Sequence, residues 1–156
     1  MKIKKYYLTK SDNTRRMEKM DLPQNIIITS SRYNGFSCLK NRNIIEMSKY
    51  KEDREFSCHY IVGNSGEIIN IIPETERAIC SRKEEMDISS IGIMLCLDKE
   101  GNYTKQEILS LKGLIKRLRE KYSIKKENVY TEYDINGSRR PVLFVDEPIL
   151  LEEILV

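Results

Sequence analysis

The 156-residue sequence predicts a single α/β domain with a mixed central β-sheet flanked by helices. Three observations carry that expectation. Between Ser57 and Leu97, short runs rich in β-branched residues alternate with Gly/Asn/Ser clusters, the pattern of strands joined by tight turns. An amphipathic stretch from Lys105 to Lys121 follows, the pattern of a helix lying on a sheet. No internal repeat, low-complexity tract or linker interrupts the chain, so residues 1–156 read as one domain large enough to bury a core.

Residues 1–25 are polar and broken by Asp12-Asn13, Asp21 and Pro23, so they read as an extended arm. Ile26–Ile28 is a short buried strand ending at Thr29-Ser30-Ser31, followed by a polar loop from Arg32 to Ser37. A helix is expected from Leu39 to about Lys51, with Ile44, Ile45 and Met47 inward. Ser57–Val62 and Glu67–Ile72 form a hairpin that turns through Gly63-Asn64-Ser65-Gly66. Ser90–Leu97 is apolar at nearly every position, as a strand covered on both faces must be.

Thr104 and Glu107 form a capping box at the start of the long helix. Its apolar stripe is Ile108, Leu111, Leu114, Ile115 and Leu118. A last strand is expected near Asn128–Thr131, then a loop from Glu132 to Phe144. A terminal helix starts at Asp146 and Pro148, with Ile149, Leu150 and Ile154 inward.

The charge balance is too even to point to nucleic acid: 27 basic against 24 acidic residues, net +3. The basic run Lys116–Arg119 reads as a solvated helix face. Lys2–Lys5 is basic, but no apolar run follows it, so neither a secretory signal nor a membrane span is expected and the expected location is cytoplasmic. Cys38, Cys58, Cys80 and Cys96 lack the close spacing of a zinc knuckle or a redox dithiol and are expected as free thiols. His59, the sole histidine, is expected to be satisfied inside the sheet. Cys58 and His59 should point to opposite faces of their strand, which works against a Cys–His nucleophilic pair.

A series of motifs runs along the chain in a telling order. It comprises the arm Tyr7–Lys10, the strand end Ile26–Ser31, His59–Val62 with Gly66, Arg77-Ala78, and Ser90–Ile93. The long helix ending Lys121-Tyr122 and the segment Tyr133–Gly137 ahead of Pro141 complete it. This order resembles the zinc-dependent N-acetylmuramoyl-L-alanine amidases, a family that includes bacteriophage endolysins and the animal peptidoglycan-recognition proteins. Phage lysins of this kind lack signals because holins release them, so a cell-wall destination is compatible with a cytoplasmic start.

The resemblance implies a site, and its positions are altered here. The family's first zinc histidine falls at Thr29, its second at Glu132, and its third ligand, a cysteine or aspartate before the loop proline, at Arg140. Ser138 stands where a catalytic lysine is frequent, Cys58 where many members use a tyrosine, and Met94 where others use a glutamate. A substrate-contacting Trp-His pair is replaced by Ile79-Cys80. Catalytic zinc needs about three nitrogen, sulfur or carboxylate ligands and an open position for water. A threonine, one glutamate and an arginine do not meet that need.

The expectation is therefore a pseudoenzyme without zinc or other cofactor. It would keep a groove lined by Thr29, Arg32, Cys58, Cys80, Arg82, Met94, Glu132, Ser138 and Arg140 for peptidoglycan fragments or a related ligand. A protein-interaction module on the same scaffold is the alternative, and an enzyme with rebuilt metal-free chemistry, for example with Cys58 as nucleophile, is a third. Glu132 and Arg140 would either pair, the guanidinium replacing the metal cation, or both face water.

Overall fold

The β-branched runs pair into one six-stranded sheet in the computed structural model, which describes residues 1–51 and 55–156. The strands are β1 (Ile3–Lys5), β2 (Asn25–Asn34), β3 (Tyr60–Val62), β4 (Ile68–Asn70), β5 (Ser90–Leu97) and β6 (Val129–Thr131). Their spatial order is β1-β4-β3-β5-β2-β6, and only the β3–β4 hairpin is antiparallel. The sheet is thus mixed, with parallel β5, β2 and β6 delivering their C-terminal ends to one edge. The helices are α1 (Cys38–Met47), α2 (Glu84–Asp87), α3 (Lys105–Tyr122), α4 (Glu132–Asn136), α5 (Val142–Asp146) and α6 (Pro148–Ile154).

Strand periodicity sorts the core into two layers. Ile26, Ile28, Tyr60, Val62, Ile91, Ile93 and Leu95 face α3, whose Leu111, Leu114, Ile115 and Leu118 are buried against them together with Phe144 and Ile154. Ile61, Ile69, Met94 and Cys96 face the other way and pack with Cys58, which precedes β3, and with Cys38 and Ile45 of α1. β5 contributes to both layers, so its continuous apolar run is the consequence of burial on two faces. The α3 capping box is formed: the Glu107 N–H donates to Thr104 Oγ1 at 3.1 Å, and the Thr104 N–H donates to Glu107 Oε1 at 3.3 Å. None of the described helices is long and apolar enough to cross a membrane.

Four local expectations need correction. The arm contains a strand: Ile3–Lys5 pairs in parallel with Ile68–Asn70, and the N–H groups of Tyr6 and Leu8 continue that pairing to the carbonyls of Asn70 and Ile71. The free edge of β4 offers backbone donors and acceptors to any extended segment, so this strand needs no apolar alternation of its own. The expected loop after Ser31 is the continuation of β2, which stays paired to β5 with a register shift between Ser30 and Asn34. Met47 and Ile149, expected inward, are 64% and 66% exposed. Finally, residues 132–144 are not a plain loop. Thr131 and Asp134 form a second capping box that starts α4, and Gly137 ends it with φ of 82°.

Candidate functional site

Parallel strands place whatever follows them at one edge, and ligands of α/β sheets commonly sit there. Thr29 lies on β2 opposite Met94 of β5, and Glu132 opens α4 directly after β6. Residues 103 positions apart in the sequence therefore meet: the Thr29 hydroxyl donates to Glu132 Oε1 at 2.5 Å. The Asn136 amide, one helical turn beyond Glu132, donates to Glu132 Oε2 at 3.0 Å and to the Ser81 carbonyl at 3.0 Å. Arg140 approaches the same Oε2 at 3.8 Å, so the ion pair considered from sequence is present as a loose contact on a buried carboxylate. The Arg140–Pro141 bond is cis, and the Tyr133 N–H donates to the Arg140 carbonyl at 3.3 Å.

Around this network lies a cavity of about 270 Å³. Thr29, Ser30, Arg32, Asn41, Ser48, Arg82, Glu132 and Arg140 form its polar lining; Tyr33, Ile44, Ile45, Phe56 and Met94 form the less polar wall. Partial burial lowers the pKa of the Arg32 guanidinium, and the neighbouring charges of Arg140 and Arg82 lower it further, with Glu132 opposing. Arg82 has a left-handed backbone, φ 62°, unusual for a non-glycine residue. The preceding Ser81 is held by buried Asp87, whose Oδ1 accepts from both the Ser81 N–H at 2.9 Å and its hydroxyl at 2.8 Å.

Six of the nine residues expected at the groove line this cavity: Thr29, Arg32, Arg82, Met94, Glu132 and Arg140. Cys58, Cys80 and Ser138 do not. Cys58 and Cys80 are buried, and that burial raises both thiol pKa values far above the ordinary range. Ser138 instead caps the turn after α4, its N–H donating to Asn136 Oδ1 at 2.9 Å. His59 is wholly buried: Nδ1 accepts from the Gly92 N–H at 3.0 Å, which leaves Nε2–H to donate to the Glu76 carbonyl at 2.7 Å. Burial lowers its pKa to about 4. Asn136 was missed, although its i+4 spacing from Glu132 on a capped helix was a usable signal. The apolar wall from Ile44, Ile45 and Phe56 carried none, because it depends on where α1 docks.

Among the described residues, no three His, Cys, Asp or Glu side chains converge as a metal-ligand group. The sheet edge bearing Thr29, Glu132 and Arg140 beside α1 defines the class as an α/β domain with a polar cavity at the C-terminal ends of its parallel strands. The family model for N-acetylmuramoyl-L-alanine amidase matches residues 22–141, and the chain belongs to that family. A probable N-acetylmuramoyl-L-alanine amidase of Bacillus licheniformis is 24% identical over 121 residues, covering 71% of this chain and 34% of that protein. The chain thus spans about a third of that relative's length.

Among solved structures, a mutant endolysin from Bacillus subtilis superposes with a TM-score of 0.84 at 19% identity, covering 100% of this chain and 99% of that one. The amidase LysC from Clostridium intestinale URNW gives 0.71 at 20% identity, covering 90% and 89%. A Drosophila peptidoglycan recognition protein, SD, gives 0.70 at 14% identity, covering 90% and 88%. At these identities the likeness is one of fold.

Proposed function

We propose that this chain is a metal-free, catalytically inactive member of the amidase family whose cavity is kept for ligand binding, with peptidoglycan fragments as the first ligand class to consider. The observation that carries the reading is the bonding of Glu132. Its two oxygens already accept from Thr29 and Asn136, and the fixed cation of Arg140 stands 3.8 Å away. A zinc ion at this point would have to displace the Thr29 proton and sit beside a guanidinium that repels it, with one carboxylate as its only strong ligand. These residues do not fit the metal. Without it, neither a water of lowered pKa nor a polarised amide carbonyl is available to the family reaction.

Hydrolysis rebuilt on cysteine loses its support at the same site. Cys58 and Cys80 are buried, their thiolates are disfavoured, and neither lines the cavity. Binding through the retained cavity remains the function that the geometry favours. The test pairs elemental analysis of protein purified with zinc present and titration with muropeptide fragments. Substoichiometric metal together with saturable, wall-fragment binding is expected. Stoichiometric, chelator-removable zinc or cell-wall lysis by the isolated chain would overturn the metal-free reading, and no binding heat at millimolar fragment would overturn the ligand.

A further inference from the structure

The charge lining the cavity is out of balance in one direction. Arg32, Arg82 and Arg140 enter it from three separate parts of the chain, and Glu132 is the one carboxylate among its described lining residues. Glu132 is matched with Arg140, so the described lining carries a net charge of +2. On its far side Arg82 borders a depression that also contains Glu55, Glu84 and Asp87. Each of these is engaged elsewhere: Glu55 with Arg16 at 3.4 Å, Glu84 with Arg77 at 3.1 Å, and Asp87 with Ser81. Among the described residues neither Arg32 nor Arg82 has an ionic partner.

Two of the arginines, Arg82 and Arg140, are also positioned. Asn136 ties the Ser81 carbonyl to Glu132, so the backbone carrying Arg82 and the carboxylate facing Arg140 are parts of one hydrogen-bonded unit. Asp87 locks the Ser81 side, and the left-handed Arg82 is held by this surround. Guanidinium forks pair with carboxylates and with phosphoryl oxygens. Three forks converging from different directions suit a group with three terminal oxygens better than a planar carboxylate, and a phosphomonoester carries close to two negative charges at neutral pH.

We propose that the cavity is a receptor for a small phosphomonoester, its dianion bridging Arg32, Arg82 and Arg140 and its carbon body lying against Ile44, Phe56 and Met94. The inference rests on the metal-free reading above and names the ligand chemistry of the same cavity. Loss of Arg32 and Arg82 leaves the Thr29–Glu132–Arg140 contacts in place, and both side chains are exposed, so their removal spares the fold.

The test is calorimetric titration of chelator-treated protein, of measured metal content, with phenyl phosphate, inorganic phosphate and benzoate at low salt. Saturable binding is expected in the order phenyl phosphate, inorganic phosphate, benzoate, with benzoate at least about tenfold weaker and added salt weakening all three. The double variant Arg32→Gln/Arg82→Gln should weaken phenyl phosphate by about a hundredfold, about tenfold per charged contact. Lys112→Gln/Lys116→Gln on α3 should leave it unchanged. Benzoate binding as tightly as phenyl phosphate, equal losses in both double variants, or no saturation with either phosphate would overturn the proposal. Untreated protein is titrated in parallel, and phosphate binding present there but lost after chelation would overturn the metal-free reading together with the proposal. Phosphate binding without muropeptide binding would retain this inference and remove only the peptidoglycan ligand.

Discussion

Replacing Glu107 with glutamine should change the pH dependence of stability in a way whose size follows from the structure. The Glu107 side chain is fully buried at the start of α3; Oε1 accepts from Asn64 Nδ2 at 2.9 Å and from the Thr104 N–H, while Oε2 has no partner among the described residues. Burial of the charge raises its pKa from 4.5 to about 7. Between those values the native protein holds a proton that the unfolded chain has released. Stability from this group is therefore full below pH 4.5 and is lost as pH rises through 7.

At about 1.4 kcal/mol per unit the loss is about 3 kcal/mol, reduced to about 2 if solvent screens the helix end. Glutamine keeps the acceptor for Asn64 and Thr104 and cannot ionise. It also leaves an amide N–H₂ where Oε2 was, a constant cost of about 1–3 kcal/mol that does not vary with pH. The assay is urea denaturation of both proteins from pH 4 to 8. The variant-minus-native difference should be flat below pH 4.5, rise by about 2–3 kcal/mol up to pH 7, and level off above it. A difference independent of pH would refute the reasoning. His59 runs the opposite way: with its pKa lowered from 6.5 to about 4, the stability it contributes is present above pH 6.5 and lost as pH falls to 4. The two groups oppose each other in the native protein, and the variant should expose the acid-side loss.

Further expectations concern the core and the altered site. Gly92→Ala should destabilise by about 1–3 kcal/mol in the same denaturation assay, because a Cβ there would lie 2.7 Å from Cys80 Sγ and 2.9 Å from its Cβ. All four thiols are buried, so a thiol reagent should label them slowly in native protein and completely in denaturant, counted by mass spectrometry. Fast labelling of Cys58 or Cys80 would reopen cysteine chemistry. The triple substitution Thr29→His, Glu132→His and Arg140→Asp should install a three-ligand set at the sheet edge and give stoichiometric zinc by elemental analysis, removable with chelator. If the native protein holds as much zinc as this variant, the metal-free reading fails.

Much of this molecule was legible without coordinates because its signals are local. The β5 run, the β3–β4 turn and the Thr104–Glu107 box each specify their own geometry from neighbouring residues, and the order of motifs along the chain pointed to the family. Six cavity-lining residues could be named because the family resemblance assigned them to one groove. Tertiary structure alone decided the rest. Ile3–Lys5 is a strand because β4 presents an open edge to it, and Cys58 and Cys80 are sealed because their segments pack against Gly92 of β5. Arg32, Arg82 and Arg140 were expected in one groove, but it took the packing of three separate segments to leave Glu132 as the one carboxylate among the described lining residues. Local backbone preference acts over a few residues, whereas burial and charge act between whatever the fold brings together, and the cavity is built from the second kind of interaction.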